Sequence, residues 1–402
     1  MEPIKPETQD IRKRLGLRRL VNVSGPITNI GSTRVLPEVI QAMNQIMPEN
    51  VDIAELQSRA SDLIASITGA EAGCITNCTS AGISVAVAAA MTGVDQGRIE
   101  QLPDTSGLRN EVLVPAGQLG YFGNAPLRQA ISLTGAKVVP VGEYNHFRPY
   151  QLKAQINERT AAALYIVTGD TGKMPFFEFA ELCRSSKIPV LCDLANVQFF
   201  PLFISEGADL ILLSAQKFLH GPTAGIIAGQ KELVRAAWYQ HFGVGRGMKA
   251  GKEDIVGAIT ALEAWERCNH AENRVRETCI LKFWQKSFED LPGVTVTIEP
   301  HHADNPVHHL HLCVDAETCC MAAWELAYKL SQGDPAIVTL ERWVEKGRVV
   351  LDPCYMNPGE EQEVVDRVLE ELANSRQLRR KNPMSLAEYK RREEIGFLGW
   401  LK

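Results

Sequence analysis

Lys217 stands in the run Ser214-Ala215-Gln216-Lys217-Phe218-Leu219-His220-Gly221-Pro222, and the aliphatic run Ala208-Asp209-Leu210-Ile211-Leu212-Leu213 leads into it. A second run, Ile188-Pro189-Val190-Leu191-Cys192-Asp193, ends in a carboxylate. Both read as strands buried on both faces of a sheet, each delivering one ionisable group to a polar turn. Strand–Asp, crossover, strand–Lys is the arrangement that pyridoxal phosphate chemistry needs. The amine forms a Schiff base with the cofactor, and the carboxylate keeps the pyridine nitrogen protonated so that the ring takes up carbanion charge. A lysine in a loop is ordinarily a solvated surface group, so the reading depends on what the rest of the chain places around it.

A phosphate needs a cradle, and one is legible upstream. The strand ending Ile75-Thr76 is followed by Asn77-Cys78-Thr79-Ser80-Ala81-Gly82 and then by a helix of small residues. Small and hydroxylated residues at a helix start leave backbone N–H groups free and let a phosphate approach, with the helix dipole favouring the dianion. An ordinary helix capped by Thr79 or Ser80 has the same local pattern. Ser214, three residues before the lysine, adds a hydroxyl on the same side. The chain order of cradle, acid and lysine is the order of a pyridoxal-phosphate enzyme.

The elements that position these residues alternate. Strands are predicted at Gly73–Thr76, Glu111–Pro115, Ala136–Val141, Ala162–Val167, Ile188–Asp193, Ala208–Ser214 and Gly225–Gly229, with helices such as Ser80–Met91, Pro126–Thr134 and Phe177–Ser185 between them. That spacing predicts an α/β fold with a mostly parallel seven-stranded sheet flanked by helices, and ligands in such sheets bind outside the carboxyl ends of the strands. A long helix is predicted from Glu253 to Leu281. Short strands at Val294–Ile298, Leu310–Val314, Ala336–Leu340 and Arg348–Asp352, with helices near Cys320–Leu330 and Glu360–Ala373 and a helical tail over Pro383–Lys402, predict a smaller α+β domain. The expected division is an N-terminal segment over 1–50 packing on the active site or a partner subunit, a large cofactor-binding domain over 51–270, and a small domain over 271–402.

Composition excludes several classes. The 402 residues are 45% hydrophobic with a net charge of −6, enough to bury a large core and without a field that attracts nucleic acid. The basic stretches Arg12-Lys13-Arg14, Arg18-Arg19 and Arg379-Arg380-Lys381 are short and lack interleaved aromatics, so they read as solvated or subunit-contact faces. No apolar run has the length of a membrane span, and the first residues lack a signal-peptide pattern. Ten cysteines without paired CxxC spacing read as reduced structural thiols. The histidines at 301, 302, 308, 309 and 311 lack thiolate or carboxylate spacing, and His309 and His311 read as surface or interface groups on one strand face rather than as metal ligands. The expectation is a cytoplasmic protein with no metal, nucleic-acid or membrane partner.

Taken jointly, several segments resemble the selenium-transferase-like branch of fold-type I pyridoxal-phosphate enzymes, which includes bacterial L-seryl-tRNA selenium transferase and D-glucosaminate-6-phosphate ammonia-lyase. The resemblance runs from about Arg18 to Glu363. It rests on Arg19-Leu20-Val21-Asn22-Val23-Ser24-Gly25 with Asn29-Ile30-Gly31, Gly69-Ala70-Glu71-Ala72, and Leu191-Cys192-Asp193-Leu194-Ala195. Gly207-Ala208-Asp209-Leu210 leading to Lys217 and Gly221-Pro222, and Gly245-Arg246-Gly247-Met248-Lys249 with Gly251-Lys252-Glu253, complete it. The resemblance implies Lys217 as the Schiff-base lysine and Asp193 as the pyridinium partner. It also implies Thr79, Ser80 and Ala81 at the phosphate and a homodimer or higher homo-oligomer; Gln118, Ala195 and Ser214 are further candidate cofactor contacts.

The chain departs from the family in three places. The lysine follows Ala215-Gln216 instead of two glycines. Gln118 stands where a basic residue or histidine commonly flanks the ring. The C-terminal Leu-Asp-x-Arg segment, whose arginine is a natural anchor for a substrate carboxylate, here reads Leu351-Asp352-Pro353-Cys354, which leaves Arg34, Arg246 and Arg342 as candidates for that role. The cofactor chemistry reads as retained and the substrate pocket as altered. The tRNA-dependent branch typically carries an additional N-terminal region, and only about twenty residues precede the matching segment. Lys217 as base and Asp193 on the ring nitrogen suit an α,β-eliminating lyase acting on a small hydroxylated amino acid or amino-sugar acid. A racemase, an aminotransferase, or a catalytically inactive binding or assembly subunit are the alternatives.

Overall fold

The structure, a computed structural model, describes residues 10–119, 127–167, 174–301, 305–378 and 384–399. Pro126, His302, Arg379-Arg380-Lys381, Pro383 and the last residues of the tail lie outside them. The chain divides into two compact units, one of Pro26–Cys268 with His302–Asn305, the other of Met1–Gly25, Asn269–His301 and Pro306–Lys402. The stretch 1–50 is thereby split. Leu20–Val23 pairs as a parallel strand with Ala336–Thr339 of the smaller unit, whereas residues from Pro26 onward belong to the larger one.

Seven strands form the sheet of the larger unit: β1 (Ala72–Thr76), β2 (Glu111–Pro115), β3 (Lys137–Val141), β4 (Thr160–Ile166), β5 (Val190–Asp193), β6 (Leu210–Ser214) and β7 (Gly225–Gly229). Their spatial order is β1-β7-β6-β5-β4-β2-β3. The run from β3 to β6 is parallel, and β7 lies antiparallel between β6 and β1. The mostly parallel sheet expected from the alternation is therefore present, with β2 and β7 at their predicted bounds. Strand residues alternate between two cores, Leu113, Tyr165, Cys192 and Ile211 entering one and Val112, Leu164, Leu191 and Leu212 the other, as a sheet covered on both faces requires.

The helix Thr79–Thr92 is buried almost all round, with only Ser80 and Ala90 less than fully enclosed, which explains its uninterrupted run of small apolar residues. The edge strand β1 is closed by the helix Ile53–Thr68. The Gln57 side-chain amide donates to the Ile75 carbonyl and accepts from the Ile75 N–H, both at 3.0 Å, and Ser61 Oγ accepts from the Gly73 N–H at 3.0 Å. One side-chain amide thus takes the place of a neighbouring strand and blunts the edge.

The long helix predicted over Glu253–Leu281 is instead two helices, Lys252–Arg267 and His270–Phe288. Cys268 is extended, and the Asn269 side chain accepts from the Glu272 N–H to cap the second helix. The apolar periodicity continues through the break, so Asn269 with Glu272 was the one available signal.

In the smaller unit, His308–Val314 is the central strand of an antiparallel sheet with Val294–Pro300 and Arg348–Leu351. Its Leu310 and Leu312 share a core with Trp284, Phe288, Leu326 and Val368. His309 and His311, expected at a surface or interface, are buried. His309 Nε2 lies 3.4 Å from Asp352, and His311 lies 3.7 Å from Glu299 and packs against Trp343. Carboxylates distant in sequence make that burial tolerable. Cys74, Cys183, Cys192, Cys319 and Cys354 are buried thiols outside any disulfide. Among the described residues no helix is long and apolar enough to cross a membrane.

Candidate active site

Parallel strands bring their carboxyl ends to one edge, and there the larger unit holds a cavity of about 530 Å³ lined by Ser80, Asp193, Asn196, Ser214, Gln216 and Lys217 among others. Thr79 and Ala195 also face it. Asp193 is the last residue of β5, buried between Ile166 of β4 and Leu212 of β6. Its Oδ1 accepts from the Ala195 N–H at 2.9 Å. Burial pushes the Asp193 carboxyl up, opposed by that hydrogen bond and by the Lys217 charge.

Lys217 follows β6 in a turn closed by Gly221 N–H to Ala215 O (2.7 Å) and His220 N–H to Lys217 O (3.0 Å). His220 adopts φ +54°, a left-handed conformation uncommon for a residue with a side chain. The turn is clasped from far upstream. Thr33 Oγ1 lies 2.7 Å from Gln216 O and 3.2 Å from Lys217 O, the Leu36 N–H donates to His220 O, and His220 Nδ1 lies 3.3 Å from Arg34 O. Burial pulls the Lys217 amine down and the Asp193 charge pushes it back up. The net lowering raises the neutral, nucleophilic fraction near pH 7.

At the cradle, the helix begins with Thr79, and its cap is Cys78 rather than Thr79 or Ser80. The thiol accepts the Ala81 N–H at 3.4 Å, so the Ala81 N–H, expected at the phosphate, is engaged by sulfur. Thr79 Oγ1 donates to Leu213 O of β6 at 2.8 Å. What remains for an anion is the Ser80 hydroxyl with the N–H groups of Thr79 and Ser80, which helix geometry leaves without an internal acceptor. Gly225 permits this packing, because a Cβ there would lie 2.4 Å from the Cys78 carbonyl.

Gln118 is buried at the end of β2, and its Oε1 accepts from the Ile166 N–H at 2.8 Å while Nε2 has no partner. It ties β2 to β4 and does not itself line the cavity. Neither Arg34 nor Arg246 lines it; both are exposed. Arg342 belongs to the smaller unit, its guanidinium 5.4 Å from the Trp343 ring centre. Sequence reasoning missed Thr33, Cys78, Asn196 and Gln216. Cysteine is a rare cap, and the contacts of Thr33 span more than 180 residues.

A helix N-terminus with unpaired N–H groups, a buried acid and a half-buried amine on one cavity fit pyridoxal phosphate. Thr79 and Ser80 would hold its phosphate, Asp193 its ring nitrogen and Lys217 its aldehyde carbon. The protein is thus a pyridoxal-phosphate enzyme of fold type I.

The family model described as SelA, L-seryl-tRNA selenium transferase, matches residues 20–291, and the chain belongs to that family. It is 33% identical to D-glucosaminate-6-phosphate ammonia lyase of Salmonella typhimurium over 90% of this chain and 98% of the relative. It is 29% identical to a 5'-C-glycyluridine monooxygenase-decarboxylase of a Streptomyces species over 90% of this chain and 91% of the other. The L-seryl-tRNA(Sec) selenium transferase of Photorhabdus laumondii is 24% identical over 73% of this chain and 66% of its own length. The solved structure of a D-glucosaminate-6-phosphate ammonia-lyase superposes with a TM-score of 0.81 at 32% identity, covering 92% of this chain and all of the other. An alanine–glyoxylate aminotransferase from Nostoc shares the fold with a TM-score of 0.56 at 19% identity, covering 93% of this chain and 97% of the other.

Proposed function

We propose that this protein is a pyridoxal-phosphate-dependent lyase that removes ammonia from a small hydroxylated amino acid or amino-sugar acid by α,β-elimination. The observation that carries the reading is the placement of Lys217 and Asp193 on one cavity at the carboxyl edge of the sheet. The similarity to an ammonia-lyase over nearly the whole chain supports elimination over the alternatives. The decarboxylating relative shows that the family hosts other chemistry, so the reaction needs its own test.

Bound cofactor makes the Cα–H bond of an attached amino acid acidic. Lys217 would have two tasks, holding the cofactor at rest and taking the Cα proton once its amine is free. Its lowered pKa suits both. Asp193, held by the Ala195 N–H, would keep a proton on the ring nitrogen. The proton taken by Lys217 would leave with the β-hydroxyl as water, and hydrolysis of the resulting enamine by one water would give a 2-keto acid and ammonia. The same reading takes the enzyme to be a cytoplasmic homodimer or larger homo-oligomer with a small-molecule substrate and no nucleic-acid or membrane partner, which its acidic charge favours.

The test uses wild type beside Lys217→Ala, supplied with pyridoxal phosphate and scanned in the visible range before and after borohydride. A cofactor band fixed by borohydride in the wild type and lost in the variant is expected, together with keto acid and ammonia from hydroxylated amino acids or amino-sugar acids without an acceptor. Loss of optical rotation without ammonia would instead mark a racemase. Dependence on a keto-acid acceptor would mark an aminotransferase. A wild type that takes up no cofactor would overturn the enzyme reading.

A further inference from the structure

The smaller unit holds a group of enclosed polar side chains that the proposed reaction leaves without a task. Arg274 lies in the first turns of the helix His270–Phe288, with its side chain 20% exposed. Its Nη1 donates to Glu277 Oε2 at 2.8 Å. Its Nε and Nη2 are buried and have no hydrogen-bond partner. Those two nitrogens share one edge of the guanidinium and present parallel N–H donors, the geometry that matches the two oxygens of a carboxylate. Leaving buried donors of a charged group unmet is costly.

The nearby acids do not fill that edge. Glu277 occupies the opposite corner. Asp352 accepts from the Cys354 N–H at 2.8 Å and faces His309 at 3.4 Å. Cys354 and Tyr355 are buried within reach of the Arg274 charge. A helix thus supplies a guanidinium to the surroundings of Cys354, the position where the Leu-Asp-x-Arg segment lacks its arginine. We propose that the Nε/Nη2 edge of Arg274 is a binding site for the carboxylate of a small molecule. The local charges favour a monoanion over a dianionic phosphate. Arg274 and Arg276 are set against Glu277 and Asp352, a nearly neutral group in which the second charge of a dianion adds to the cost of burial.

The test is direct binding to protein loaded with pyridoxal phosphate, independent of which reaction the enzyme performs. Wild type, Arg274→Lys and Arg274→Gln are titrated with sodium acetate, and separately with sodium phosphate, against sodium chloride at equal ionic strength while thermal unfolding is followed. A saturable rise in Tm with acetate is expected in the wild type. Its apparent affinity should be about tenfold or more weaker in both variants, because a bidentate charged pair is worth at least that factor and lysine keeps the charge without the two parallel donors. The lysine variant decides the matter if the glutamine variant does not fold. An equal acetate response in wild type and Arg274→Lys, or none in the wild type, overturns the site. A phosphate response stronger than the acetate response overturns the choice of a carboxylate.

Discussion

Replacing Thr79 with valine removes one hydroxyl and keeps the branched shape of the side chain. The structure commits that hydroxyl's hydrogen to Leu213 O at 2.8 Å, in a site where both residues are buried. A hydroxyl whose hydrogen is spent on the protein has only lone pairs to offer, and a phosphate dianion has no hydrogen to give them. Thr79→Val should therefore act on stability and leave cofactor affinity alone. A net hydrogen bond of this kind, with partial loss of a buried acceptor, is worth about 1–2 kcal/mol. For a large domain that lowers Tm by roughly 2–6 °C. Thermal unfolding of the cofactor-free protein reads the first quantity, and titration with pyridoxal phosphate followed by absorbance reads the second. Thr79→Ser should restore Tm. A valine variant with unchanged Tm and cofactor binding weakened tenfold would refute the reasoning and return the hydroxyl to the phosphate.

Gly225→Ala should weaken the cofactor by about tenfold or more and cost about 1–3 kcal/mol, since the added Cβ meets the Cys78 carbonyl at 2.4 Å and Thr76 Oγ1 at 2.6 Å; full cofactor affinity in the same titration would show that the cradle yields without loss. Glu341 has its carboxyl pushed up to about 7 by burial, with Glu393 adding to the rise and the Tyr389 hydroxyl opposing it. A carboxyl raised above its unfolded value contributes stability that is present below about pH 4.5 and lost as pH rises through about 7. Glu341→Gln should then match the wild type near pH 4 and exceed it by about 2–3 kcal/mol at pH 8, read as urea midpoints across pH. Parallel curves for the two proteins would exclude ionisation of Glu341 as the cause.

The parts of the fold legible in sequence are those where local pattern and burial agree. β2 and β7 are short β-branched runs bounded by turn residues, and they appear at their predicted bounds. The positions of Asp193 at the end of β5 and of Lys217 in the turn after β6 were legible for the same reason. The helix break at Cys268 was hidden because apolar periodicity on both sides outweighed a two-residue capping signal. His309 and His311 were misplaced because their carboxylates come from elsewhere in the fold, Asp352 just past the strand Arg348–Leu351 and Glu299 on the strand Val294–Pro300. Cys78 as a cap and the unmet edge of Arg274 were beyond pattern reading for a like reason. Each depends on which atoms come within hydrogen-bond distance, and residue type alone does not say.

The strand β7 carries a further consequence. The helix start proposed to cradle the phosphate follows β1, Asp193 ends β5 and Lys217 follows β6, and within the sheet β1 hydrogen-bonds only to β7 among the described strands. The two halves of the site are therefore riveted together by a strand synthesised some 150 residues after the cradle. A growing chain has the cradle well before it has the rivet, whereas Lys217 precedes Gly225 by only eight residues; the Gln57 amide and Ser61 hydroxyl cover the other, outer edge of β1. Closing so long a loop is slow, so capture of the cofactor marks the completion of the sheet. On a ribosome, colour from bound cofactor is expected only once Gly229 has emerged, read as absorbance of stalled chains of increasing length.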